Sequence, residues 1–183
     1  LLGSMRPCAQ PVSYEVALAL SVLGVVLMAG SLSLTEIVDK QQDTVWYAVP
    51  QILGLLVFFA AGTAETNRPP FDLPEAESEL VAGYHTEYSG MRFGLFSMAE
   101  YVNMITLSGL CVTLFFGGWI GPWPPLGPVW FLLKVLVLIF LFIWLRATLP
   151  RLRYDQLMAF GWKVLLPVAT INALVTAALV VAL

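Results

Sequence analysis

The stretch Val129-Trp-Phe-Leu-Leu-Lys-Val-Leu-Val-Leu-Ile-Phe-Leu-Phe-Ile-Trp-Leu-Arg-Ala-Thr148 decides the class of fold. A helix that crosses the hydrocarbon core of a bilayer needs about 20 mostly apolar residues. This stretch meets that length, and Lys134 and Arg146 are its only charges. The whole chain agrees with it: of 183 residues, 59% are hydrophobic and 11% charged, and mean hydropathy is +0.83. A soluble domain carries roughly 25% charged residues. Soluble globular, disordered and disulfide-rich secreted classes are therefore excluded, and an integral membrane protein remains.

Four further segments qualify as spans, at about 12–34, 46–64, 91–117 and 161–182. The expected fold is all-α, a polytopic helix bundle with five transmembrane helices forming one domain over 1–183. Asp39-Lys-Gln-Gln-Asp43 reads as a short polar loop. Gly117 to Pro128 reads as a loop whose prolines and glycines end helices and whose tryptophans suit a membrane interface. Leu149 to Gln156 links the last two spans, and the longest connection is 65–90. The net charge of −3 gives no basic patch for nucleic acid. Cys8 and Cys111 stand apart, with no metal or iron–sulfur ligand spacing and no disulfide framework. The chain opens Leu-Leu-Gly with no initiator Met and no signal-peptide pattern, as expected of a segment of a longer protein.

Basic residues orient the spans. With residue 1 inside, the inner segments hold Arg6, Arg68, Arg92, Arg146, Arg151, Arg153 and Lys163, while the outer loops hold only Lys40. The 65–90 loop then faces the cytoplasm and the C-terminus lies outside.

Charges inside spans point to function, because each costs ~3 kcal/mol near the bilayer centre. Glu15, Glu65, Glu100 and Lys134 are the candidates, with Glu36 interfacial. Ser97, Glu100 and Asn103 advance by three residues each and form one stripe on a helix face. A carboxylate in such a stripe is either a hydrogen-bonded link between helices or a proton-exchanging group. Lys134 either snorkels to the nearer interface or serves a pathway.

The 65–90 segment holds Glu65, Asp72, Glu75, Glu77, Glu79 and Glu87 against Arg68 and His85. A short helix is expected from Asp72 as N-cap, with Glu75 three residues later as in a capping box. Asp72, Glu75 and Glu79 share one face beside an apolar stripe of Leu73, Ala76 and Leu80. Interfacial helices usually carry Lys and Arg toward lipid, so an acidic stripe fits the wall of a wet cavity better.

The run Ala64-Glu-Thr-Asn-Arg-Pro-Pro-Phe-Asp-Leu-Pro-Glu-Ala-Glu-Ser-Glu-Leu-Val-Ala-Gly-Tyr84, followed by Glu87-Tyr-Ser-Gly90 and Met98-Ala-Glu-Tyr101, resembles the H-subunit family of respiratory complex I. Ser13-Tyr-Glu-Val16, Phe116-Gly-Gly-Trp119, Arg146 to Gln156 and Trp162-Lys163 extend the likeness over essentially the whole chain. The family is the quinone-site membrane subunit of proton-pumping NADH:quinone oxidoreductase, and Tyr84-His85 looks bacterial. The resemblance implies the last five of about eight helices. It implies that Arg68, Asp72, Glu75, Glu77 and Glu79 line or adjoin a quinone chamber. It implies that Glu15, Glu65, Glu100 and Lys134 lie on or near a proton or coupling path, with Arg146, Arg151 and Arg153 at its cytoplasmic edge.

The implied activity is that of a translocase subunit with no redox centre of its own. Quinone (ubiquinone or menaquinone) is the substrate, and FMN and iron–sulfur clusters belong to partner subunits. The implied partners are the peripheral-arm subunits at the quinone site, small adjacent membrane subunits and antiporter-like pump subunits, in a bacterial cell membrane. The alternatives are an H-type subunit of a membrane-bound hydrogenase or other relative, and an independent ion channel or transporter.

Overall fold

The computed structural model of the chain describes residues 2–43, 45–66, 71, 89–150 and 152–182. Every regular element among the described residues is helical. The α-helices are α1 (Leu2–Ala29), α2 (Leu34–Asp43), α3 (Ile52–Glu65), α4 (Met91–Phe115), α5 (Gly127–Thr148), α6 (Tyr154–Phe160) and α7 (Leu166–Ala182). A π-helical turn, Gly161–Leu165, joins α6 to α7.

Among the described residues three helices are long and apolar enough to cross a membrane: Met91–Phe115, Gly127–Thr148 and Asp155–Ala182. A fourth crossing arises if Ser13–Ala29 and Leu34–Gln42, bent by 59°, count as one span. The stretch expected as a span at 46–64 is helical only over the 14 residues Ile52–Glu65. That is about 21 Å of helix, because turns occupy Tyr47 to Gln51 around Pro50. The polar stretch Asp39 to Asp43, expected as a loop, is the second half of α2.

Local chemistry explains the α1–α2 bend. Gly30 takes the left-handed conformation (φ 64°), open to a residue without Cβ, and its N–H bonds Val26 O at 2.7 Å. Lys40 Nζ donates to Ala29 O, so an ammonium sits on the negative end of α1. Glu36 falls in the first turn of α2, where the helix dipole favours an acid.

Packing divides between two buried clusters. α1 lies along both α3 and α7, with small residues Ala17, Ala61, Ala64 and Ala169 buried where they meet. Small side chains let helix backbones approach closely in a membrane protein. At the other end Val25, Ala29, Ile37, Phe58, Leu107, Val112, Phe115, Val135 and Leu138 join α1–α5. Ring pairs tie α3 to the α4–α5 pair: Phe58–Phe115 at 5.6 Å and Phe59–Phe142 at 4.6 Å between centroids.

Candidate functional site

The end of the bundle where α3 finishes is built on Tyr14. Its ring is fully buried, and its hydroxyl donates to Leu157 O at 2.7 Å, tying α1 to α6. Gly161 opens the π-turn directly against this ring. A Cβ there would stand 3.2 Å from Tyr14 Cζ, so no larger residue fits without displacement. Trp162 Nε1 donates to Ser13 Oγ at 3.2 Å, which ties α1 to the π-turn as well.

Thr66 and Phe71 extend this cluster. Thr66, at the end of α3, is buried, and its hydroxyl donates to Thr63 O at 3.1 Å. Phe71 is also buried, with its ring 5.8 Å from that of Tyr14 and 6.4 Å from that of Phe160. Arg68, Asp72, Glu75, Glu77 and Glu79, with the helix expected from Asp72, lie outside the described residues, as does Arg151.

Glu15 and Glu65 are brought together at this end. They come from α1 and α3 and stand within Coulombic range of each other. Glu65 is half-buried, while Glu15 is exposed and opens on a groove along α1 with Val16, Ala19, Leu20 and Leu23.

Glu100 stands on α4. Over residues 91–103 every side chain is exposed except Ser97, Glu100 and Asn103, which are half-buried. The polar stripe is thus the face of α4 least open to its surroundings, and the apolar side chains point outward.

Lys134 lies at the opposite end of the bundle from Glu15 and Glu65. Its ammonium donates to Phe116 O at 2.7 Å, Gly118 O at 3.1 Å and Ile120 O at 2.7 Å. It also sits 4.8 Å from the centroid of the Trp46 ring. An ammonium has three donors, and all three are used on the loop that follows α4. Arg146 is exposed in the last turn of α5, and Arg153, exposed, precedes α6 with its N–H on Gln156 Oε1 at 3.4 Å.

Four residues with structural roles escaped the sequence reading. Gln51, Asn172 and Thr176 form a buried polar cluster between α1, α3 and α7. Gln41 is buried and bonds the carbonyls of Thr113 and Leu114 and the N–H of Tyr47. For Gln51 and Asn172 the signal was available: an amide within an apolar run must find a partner if it is buried. Among the described residues no group of three or more His, Cys, Asp or Glu is placed to hold a metal ion.

Fold and site together define a polytopic membrane protein, helical throughout its described elements, with two carboxylates at one end of a tightly packed three-helix unit. The sequence profile described as NADH dehydrogenase matches residues 1–177, and the chain belongs to that family. It is 56% identical over 182 residues to an H subunit of the NADH-quinone oxidoreductase of Rhodopseudomonas palustris, covering 100% of this chain and 56% of that protein. It is 58% identical over 184 residues to the H subunit of the NADH-quinone oxidoreductase of Brevibacillus brevis, covering 98% and 54%. It is 57% identical over 180 residues to the corresponding H subunit of Methylococcus capsulatus, covering 97% and 56%. The chain spans about half the length of the curated relatives it matches.

Proposed function

We propose that this chain is the carboxylate-bearing part of the membrane H subunit of an NADH:quinone oxidoreductase. In this role it walls part of a quinone chamber and couples quinone reduction to proton translocation. The observation that carries the proposal is that Glu15 and Glu65 stand within Coulombic range of each other at the end of the bundle where the acidic segment departs and Phe71 packs back on Tyr14. The names of the relatives supply the reaction class.

Reduction of a quinone to a quinol takes up two electrons and two protons. The electrons come from FMN and iron–sulfur clusters in partner subunits, and this chain shapes the pocket and answers the change of charge. Arg68, Asp72, Glu75, Glu77 and Glu79 adjoin the quinone. Glu65 and Glu15 carry the response on from the pocket. Glu100 continues the path within α4, and Arg146, Arg151 and Arg153 border it. Each charge moved against 100 mV costs about 2.3 kcal/mol, so the acids must be tightly coupled.

Glu15 faces outward beside apolar side chains. A carboxylate turned to lipid is costly, which supports a partner membrane subunit covering that face. The chain crosses a bacterial inner membrane five times, with α3 completing the second crossing. The 65–90 segment is cytoplasmic, following the basic residues, and the C-terminus lies outside.

The test is quinone reductase activity and proton pumping in membranes carrying the full-length protein with Glu65→Gln or Glu100→Gln, with assembly checked by native gel. A sharp fall in either rate in an assembled complex is the expected outcome. Unchanged rates for both variants in an assembled complex would overturn the proposal.

A further inference from the structure

The run Phe116-Gly-Gly-Trp119 closes α4 and has no part in the carboxylate chemistry. Gly117 (φ 69°) and Gly118 (φ 51°) both lie in the left-handed region, which a residue with a Cβ rarely adopts. Neither has room for one: a Cβ would stand 3.1 Å from Trp46 Nε1 at Gly117 and 2.9 Å from Val38 Cγ2 at Gly118. Past this double turn the carbonyls of Phe116, Gly118 and Ile120 converge on one atom, Lys134 Nζ, at 2.7, 3.1 and 2.7 Å. The Trp46 ring closes a further side, its centroid 4.8 Å from the same nitrogen.

Three observations say what this cage takes. The last carbonyls of a helix need partners and carry the negative end of its dipole. At α4 those of Thr113 and Leu114 accept from Gln41 Nε2 at 3.2 and 3.3 Å, and that of Phe115 accepts from the Ala48 N–H at 2.9 Å. Phe116 O, at the C-cap, receives a cation instead. The three acceptors in the cage are neutral amide oxygens, which suits a singly charged group better than a divalent metal. An ammonium also has three N–H donors on one atom, one for each carbonyl. A guanidinium is planar and spreads its donors apart, and a quaternary ammonium has none.

We propose that the backbone of Phe116, Gly118 and Ile120, with the face of Trp46, forms a receptor for one primary ammonium group, and that Lys134 is its tethered ligand. The receptor outlasts the tether: with the lysine side chain cut back, it takes a free alkylammonium in the same place. Its occupant holds the loop between α4 and α5 against Trp46 and Val38, at the end of the bundle away from Glu15 and Glu65. This role stands apart from the quinone-chamber reading and survives its failure.

The test uses the full-length subunit in the assembled complex, with limited proteolysis of the loop between residues 117 and 126 as the readout. Lys134→Ala keeps Cβ and removes the atoms that n-propylammonium supplies. Cleavage should rise about tenfold, the effect of losing one hydrogen bond to a charged donor, and n-propylammonium should slow it again. Tetramethylammonium, a cation without N–H, should not. Lys134→Met should be cleaved as fast as Lys134→Ala but gain nothing from n-propylammonium, because its side chain fills the space. Should Lys134→Ala fail to assemble, reductive methylation of Lys134, read by mass spectrometry, decides the matter. Trp46→Leu opens one side of the cage and should raise that methylation roughly fivefold, the effect of losing one cation–π contact. Cleavage unchanged in Lys134→Ala, no slowing by n-propylammonium, equal slowing by tetramethylammonium or in Lys134→Met, or methylation unmoved by Trp46→Leu would overturn the proposal.

Discussion

Asn172 Nδ2 donates to Gln51 Oε1 at 2.7 Å across 121 residues of sequence, and Gln51 Nε2 donates in turn to Thr176 Oγ1 at 2.6 Å. All three side chains are buried. Gly24 and Gly54 make the room: a Cβ on either would stand 3.0 Å from Gln51 Oε1. The amide pair thus locks α7 against α1 and α3, as a polar contact does where no water competes.

Asn172→Leu leaves Gln51 Oε1 buried without a donor, which costs about 1–3 kcal/mol. Thermal melting of the purified complex should fall accordingly. Leu174→Ala, on the exposed side of the same helix, should move the melting point far less. Equal shifts for the two variants would contradict a lock at Asn172.

Lys134→Met removes three hydrogen bonds from a charged donor and leaves the carbonyls of Phe116, Gly118 and Ile120 without it. Bonds to charged groups contribute about 1.5–3 kcal/mol, so the loop after α4 should loosen. Limited proteolysis of the complex should show faster cleavage between residues 117 and 126. A cleavage rate equal to that of the unaltered chain would deny the clamp.

Two glycine substitutions should separate backbone strain from steric conflict. Gly90 has φ 59° and ψ −132°, a backbone conformation that residues with a Cβ avoid, and nothing lies within 4 Å of a built Cβ, so Gly90→Ala costs only backbone strain, about 1–3 kcal/mol. A Cβ at Gly121 would stand 2.4 Å from the Trp130 ring. Gly121→Ala must therefore displace an indole and should impair assembly more, as native gels would show. The reverse order would contradict this packing.

Glu15 and Glu65 interact, so their substitutions should not add. In a double-mutant cycle, quinone reductase rates for Glu15→Gln, Glu65→Gln and the pair should show a coupling energy above about 0.5 kcal/mol. Strict additivity in assembled complexes would mean that the two carboxylates act independently.

The spans at 91–117 and 129–148 were legible to within two residues of α4 and α5, because a long apolar run between helix breakers leaves one solution in a bilayer. The α1–α2 bend was not. Leu32 and Leu34 keep the run apolar past Gly30, and only the Gly30 turn and the Lys40–Ala29 contact break it. The stripe Ser97, Glu100 and Asn103 was visible as spacing, but which way it faces depends on what α4 packs against.

Hydrophobic content and run length by themselves determined the class, the long helices and the carboxylates worth testing, since lipid admits few ways to satisfy a backbone. Tertiary structure alone decided partners. It joined Gln51 to Asn172, set Glu15 within Coulombic range of Glu65, and directed every donor of Lys134 to carbonyls of the loop before α5. Periodicity is a local property, readable from neighbours along the chain. The partner of a buried polar group depends on helix crossings, which bring together residues as far apart as Gln51 and Asn172, 121 positions along the chain, and no local pattern encodes them.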